Sequence, residues 1–247
     1  MTIYKRIRIL GFDIFCDELT GLETNNSIKT ISTINAYSYE ISKNDREFKQ
    51  ALKDSDALLP DGVGFVIAAR IIHKIRIKKI AGYDAFTYFL SAAEKNSSKL
   101  FFLGSTIQNL ERIKYKINNN FKNIVLDYYA PPFTDEFDKN ENEVILNKIS
   151  KFKPDILFVG MTAPKQEKWV FNNKDKIQVQ KILCIGAVFD YYAGNKKRAP
   201  DFMIKLGLEW VYRLATDSRH MIGRYKNSPI SKLLLDAIKE RISMNKN

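Results

Sequence analysis

An α/β fold, a Rossmann-like parallel sheet flanked by helices with a C-terminal basic helical appendage, is what three features of this sequence predict. Short apolar runs rich in Ile, Leu, Val and Phe alternate with longer segments whose apolar residues recur every three or four positions. Runs such as ILFVG and ILCIGAV are apolar at every position, as strands are when helices cover both faces of a parallel sheet. From about Asn195 onward no strand pattern recurs and two basic helical segments follow.

In chain order the strand patterns are RIRILGFDIF (6–15), IKTISTINA (28–36), ALLPDG (57–62), KLFFLGS (99–105), NIVLDYYA (123–130), PDILFVGMT (154–162) and KILCIGAVFDYYAG (181–194). Helical periodicity falls between them, at 46–56, 62–75, 82–96, 107–121, 141–152 and 164–177. Residues 199–217 and 228–242 are the two helices of the tail. The expected division is an α/β catalytic domain over 1–194 and a basic, membrane-associating appendage over 195–247.

A chain of 247 residues is long enough for a sizeable core. Its 45% hydrophobic and 28% charged residues exclude a disordered or collagen-like protein. The net charge of +12 asks for an anionic partner, and nucleic acid, a membrane surface and a phosphorylated small molecule all qualify. Residues 195–247 hold 12 Lys and Arg against 5 Asp and Glu, which is 7 of that excess of 12. A second basic run is Lys74, Arg76, Lys78 and Lys79. Two cysteines, Cys16 and Cys184, exclude a disulfide scaffold and a cysteine zinc site and point to a reducing compartment. No apolar run is long enough for a signal-peptide core or a membrane span, so a cytoplasmic, soluble or peripheral protein is expected.

Ligands of open parallel sheets bind beyond the carboxyl ends of the strands. Polar residues directly after strand patterns are therefore the site candidates: Thr33 and Asn35, Asp61, Gly104 and Ser105, and the stretch to Gln166. Asp61 stands on a strand-to-helix turn with Gly62 and Gly64 beside it, either as a general base or as the N-cap of the next helix. The FFLGS turn fits an anion at a helix N-terminus. No dinucleotide fingerprint, P-loop or G-x-S-x-G occurs, and two histidines leave little room for a hydrolase triad or a histidine metal site. His73 and His220 sit among basic residues on helical segments, where surface positions are expected. Asp54 and Asp56 have the spacing of a metal-holding acid pair, yet they close a helix at the end of the sheet opposite Asp61, so no metal is expected. Pro164 opens a helix that places Gln166 and Glu167 in its first turn, where a polar ligand or plain dipole compensation accounts for them. Asp190, beside Tyr191 and Tyr192, suits a sugar, a base or a domain interface.

In their order and spacing these pieces resemble the WecG/TagA/CpsF family of bacterial glycosyltransferases. TIN, PDGVG after a strand, AGYD, FFLGS, VGMTAPKQEKW, GAVFDYYAGNKKRAP and LGLEWVYRL carry the resemblance and cover nearly the whole chain. It implies an inverting, metal-independent enzyme with no cofactor. Such an enzyme moves a sugar of N-acetylmannosamine type from a UDP-sugar to an undecaprenyl-diphosphate-linked GlcNAc acceptor at the inner membrane face, in teichoic acid, common antigen or capsule assembly. By this resemblance Asp61 is the catalytic base, Thr33 its pocket neighbour, and Gln166 and Asp190 line the donor site. The tail brings Arg213 and Arg224 near the diphosphates, and Arg219 also remains. Two departures stand out: Lys79 replaces an arginine and so loses the bidentate fork, and His220 and Gly223 stand where arginine is usual.

The alternative is a non-catalytic basic protein that binds nucleic acid or an anionic membrane surface. Nucleic acid is disfavoured because Lys and Arg are not interleaved with aromatics on a reading element. In the tail Met203, Ile204, Leu206, Leu208, Trp210 and Val211 serve either to face lipid or to pack on the core, while Lys205 and Arg213 meet head groups. A homo-oligomer is left open.

Overall fold

The computed structural model describes residues 4–205, 208–216 and 230–246, without the side chains of residues 205, 210, 213 and 214. Its centre is a sheet of eight strands: β1 (Arg6–Ile9), β2 (Phe12–Phe15), β3 (Thr30–Ile34), β4 (Ala57–Pro60), β5 (Lys99–Gly104), β6 (Val125–Tyr129), β7 (Ile156–Gly160) and β8 (Lys181–Cys184). The spatial order is β1-β2-β4-β3-β8-β7-β5-β6. Only β1 and β2 pair antiparallel; every other pair is parallel. The predicted α/β class with a mostly parallel sheet is therefore present.

The helices are α1 (Thr20–Thr24), α2 (Ala36–Asn44), α3 (Arg46–Asp54), α4 (Val63–His73), α5 (Gly82–Asn96), α6 (Ile107–Asn120), α7 (Lys139–Phe152), α8 (Lys165–Asn173), α9 (Val188–Ala193), α10 (Asp201–Lys205), α11 (Glu209–Thr216) and α12 (Ile230–Met244). Side chains start many of them. Asp45 accepts from Phe48 N, Thr106 from Asn109 N and Asp138 from Glu141 N. Buried apolar clusters cover both faces of the sheet: Phe86, Phe102, Phe158 and Phe189 pack on one, and Phe65, Ile72, Phe101 and Trp169 belong to clusters elsewhere.

Three expectations need correction. Residues 6–15 are a hairpin, because Leu10 (φ 52°) and Gly11 (φ 80°) take the left-handed values of a tight two-residue turn. The run 181–194 is a strand only to Cys184; Gly186 (φ 61°) turns the chain, and VFDYYA becomes α9 although its residues favour strands. Helix α2 was hidden in AYSYEISKN, whose apolar spacing is weak, and is started by Asn35, whose Oδ1 accepts from Ser38 N at 3.0 Å. In the tail, 199–217 divides into α10 and α11. Helix α12 lies against α4 and buries Leu233 and Ala237 in the same cluster as Phe65 and Ile72. His73 is half-buried, with Nε2 2.6 Å from Arg8 O.

Candidate active site

The carboxyl ends of β3, β4, β5, β7 and β8 open into one cleft of about 1280 Å³. That exceeds the roughly 300–1,000 Å³ of ordinary small-ligand pockets. Thr33, Asn35, Asp61, Gly104, Ser105, Gln166 and Asp190 all line it, so residues scattered over 158 positions of sequence converge as the strand-end rule requires. Lys79 stands apart: its Nζ donates to Glu209 Oε2 at 3.0 Å, and Glu209 is the member of that pair that lines the cleft. The side chain of Arg213, and Arg219 and Arg224 altogether, lie outside the described residues.

The N-cap position of α4 is Gly62 (φ 92°), and Asp61, one position earlier, lines the cleft wall. The backbone holds it there, because Asp61 N donates to Ile34 O at 2.9 Å and Ile80 N donates to Pro60 O at 3.0 Å.

Gln166 and Glu167, read from sequence as a first helical turn beside exposed amides, are only 2% and 3% exposed. Gln166 Oε1 accepts from Met161 N at 3.2 Å and Gly186 N at 3.0 Å, tying the loops after β7 and β8 together. Its Nε2 donates to Glu167 Oε1 at 2.7 Å. Glu167 Oε2 is buried without a hydrogen-bond partner. Burial raises the Glu167 carboxyl from its ordinary 4.5 to about 7, against the opposing pull of the Gln166 bond. The folded protein thus keeps a proton that the unfolded chain releases above about 4.5, and stability falls as pH climbs from there to about 7. Glu167→Gln removes that loss: urea unfolding of both proteins at pH 5 and pH 7.5 gives a wild-type decrease about 2 kcal/mol larger than the variant's. Equal decreases contradict the raised carboxyl.

Sequence reasoning left Glu167 between a polar ligand and dipole compensation without finding its burial, and it missed three further residues of this region. Asn109 is a polar residue in mid-helix, yet it is buried at 4% exposure. Arg198 lines the cleft, donates to Asp84 Oδ1 at 2.7 Å and lies 4.5 Å from the centre of the Tyr83 ring. Lys165 lines it too, donates to Thr134 and sits 3.6 Å from the centre of the Phe137 ring; burial lowers its pKa. The Pro131-Pro132 pair directly after β6 was the available signal for that loop wall, which runs to Asp138.

Asp54 and Asp56 are engaged at the other end of the sheet. Asp54 pairs with Lys174, while Asp56 Oδ2 accepts from Lys29 N, Thr30 N and Thr30 Oγ1 at 2.8–2.9 Å. Among the described residues no group of three or more His, Cys, Asp or Glu is placed to hold a metal.

The model of the Glycosyl transferase WecG/TagA/CpsF family matches residues 5–247. An N-acetylglucosaminyldiphosphoundecaprenol N-acetyl-beta-D-mannosaminyltransferase of Bacillus subtilis (strain 168) is 32% identical over 184 residues, covering 74% of this chain and 70% of its own. The protein of the same name from Staphylococcus aureus (strain NCTC 8325 / PS 47) is 29% identical over 262 aligned positions, covering both chains completely.

Proposed function

The chain belongs to the WecG/TagA/CpsF family of glycosyl transferases, and we propose on that premise that it moves N-acetylmannosamine, or a related hexose, from a UDP-sugar to undecaprenyl-diphosphate-linked GlcNAc. It is a hexosyltransferase, and the names of its relatives carry that acceptor and a β-linked mannosamine product. The observation that carries the reading is the convergence of Thr33, Asp61, Ser105, Gln166 and Asp190 on one cleft at the strand ends.

In this reading Asp61 takes the proton of the acceptor hydroxyl. The freed oxygen pair forms the bond to C1 of the donor sugar from the face opposite the departing group, and the electron pair of the breaking C1–O bond leaves with UDP. Attack from that face inverts C1, consistent with a β-linked product from an α-linked donor. Closure of the cleft around both substrates expels water and strengthens every charge interaction within it. Thr33, across the strand register from Leu59, borders the same wall as Asp61. The charge gathering on the UDP phosphates is met by the amides at helix starts and by Arg198 or Lys165, with no metal ion required.

The tail supports docking on an anionic membrane. Leu235, Ile238 and Ile242 are exposed on α12 with Lys239 and Arg241 on the same helix, and among the described residues no helix is long and apolar enough to cross a membrane. The domain division at residue 195 belongs to this proposal, with α12 returning to pack on α4.

The test is release of UDP from UDP-N-acetylhexosamines by the purified protein, with and without lipid-linked GlcNAc diphosphate and with and without EDTA. Release that needs the acceptor and is unchanged by EDTA is expected. Loss of activity with EDTA contradicts the metal-free reading and returns Asp54 and Asp56 to consideration.

A further inference from the structure

A polarised chain of side chains runs behind the donor end of the cleft. Arg112 on α6 can only donate, and it donates to Asn195 Oδ1. That turns Asn195 Nδ2 onto Asn109 Oδ1. Asn109 Nδ2 then donates both its protons, to Ser105 Oγ and to Asp190 Oδ1, each at 2.9 Å. Asp190, as a carboxylate, can only accept, so the direction of the chain is fixed at both ends. Asn109 is 4% exposed and its amide is fully used; Ser105 and Asp190 line the cleft.

The polarity has a chemical consequence. Ser105 Oγ receives a proton from Asn109 and, among the described residues, gives its own to no protein acceptor. Its hydroxyl therefore has a proton for a ligand, next to a carboxylate that can only accept. Both oxygens bond the same nitrogen, which keeps them within about two hydrogen-bond lengths of one another. We propose that Asn109 is a positioning residue that sets this donor–acceptor pair, and that the pair selects the imide edge of a uracil base. Uracil offers N3–H beside a carbonyl, matching Asp190 and Ser105 in turn. Cytosine offers an acceptor at N3 beside an amino donor, the reverse pattern. Ribose hydroxyls donate and accept alike, so they are indifferent to such polarity. The inference rests on the UDP-sugar reading above.

Titration calorimetry of the full chain with UDP and with CDP tests it. The wild type is expected to bind UDP more tightly than CDP. Ser105→Ala loses one hydrogen bond to uracil and weakens UDP about five-fold while leaving CDP unchanged. Asn109→Leu, checked for folding by its melting curve, brings the two affinities together. A merely structural role for Asn109 lowers both affinities by the same factor and overturns the proposal, as does an unchanged ratio in both variants. If Asn109→Leu does not fold, the Ser105→Ala ratio decides alone. A wild type that binds UDP and CDP equally sinks the base selection only, whereas a wild type that binds neither sinks the UDP-sugar reading with it.

Discussion

Asp61→Asn lowers the turnover of sugar transfer by about a thousand-fold, within the range that a positioned general base contributes, and leaves UDP affinity within about two-fold. Asparagine keeps the shape of the side chain but has no basic oxygen to take the acceptor's proton. The N-cap position of α4 is Gly62, one residue after Asp61. The turn is held through the backbone by Asp61 N on Ile34 O. A loss confined to turnover at constant donor binding therefore reports chemistry, whereas a parallel loss of UDP binding would mark Asp61 as a binding group. Single-turnover kinetics beside calorimetry with UDP separates the two outcomes.

Gly104→Ala destabilises the protein by about 3 kcal/mol or more, the range of a core clash combined with a forced backbone conformation. Gly104 pairs with Gly160 across β5 and β7 and has φ 120°, where L side chains are strained. A Cβ there collides with the carbonyl oxygen of Gly160. Gly160 cannot retreat, since its own open face lies against the Phe189 ring, which packs 5.4 Å from Phe102 and 6.3 Å from Phe86, centre to centre. Gly11→Ala is the control. It also has positive φ, at 80°, but nothing lies within 4 Å of its added carbon, and a loss of about 1 kcal/mol is expected. Urea unfolding of both variants checks the contrast, and equal losses would show that backbone strain alone accounts for Gly104.

Much of the fold was legible because apolar periodicity and punctuation agree locally. Helix α5 runs over 82–96 as its spacing requires, and β5 ends at the Gly104 that the FFLGS turn marks. The strand-end candidates Thr33, Asp61, Ser105, Gln166 and Asp190 were findable for the same reason, since parallel sheets put such turns on one edge. What escaped depends on tertiary burial. Glu167 and Asn109 look like ordinary surface positions of helices until the fold covers them. Helix α9 escaped because its residues favour strands, and only Gly186 and packing on Phe86 and Phe102 turn it helical. Lys79, a substrate-binding candidate standing where the family has arginine, is paired with Glu209 from a helix 130 positions away, a contact that spacing cannot announce.

The central claim is transfer of a single N-acetylhexosamine to the lipid acceptor in this cleft. Mass spectrometry of undecaprenyl-diphosphate-GlcNAc after incubation with wild-type protein and UDP-N-acetylmannosamine measures it directly. An acceptor heavier by one N-acetylhexosamine, absent when Asp61→Asn replaces the wild type, is the predicted result. An unmodified acceptor with a full panel of UDP-sugars, or equal product from the variant, contradicts it.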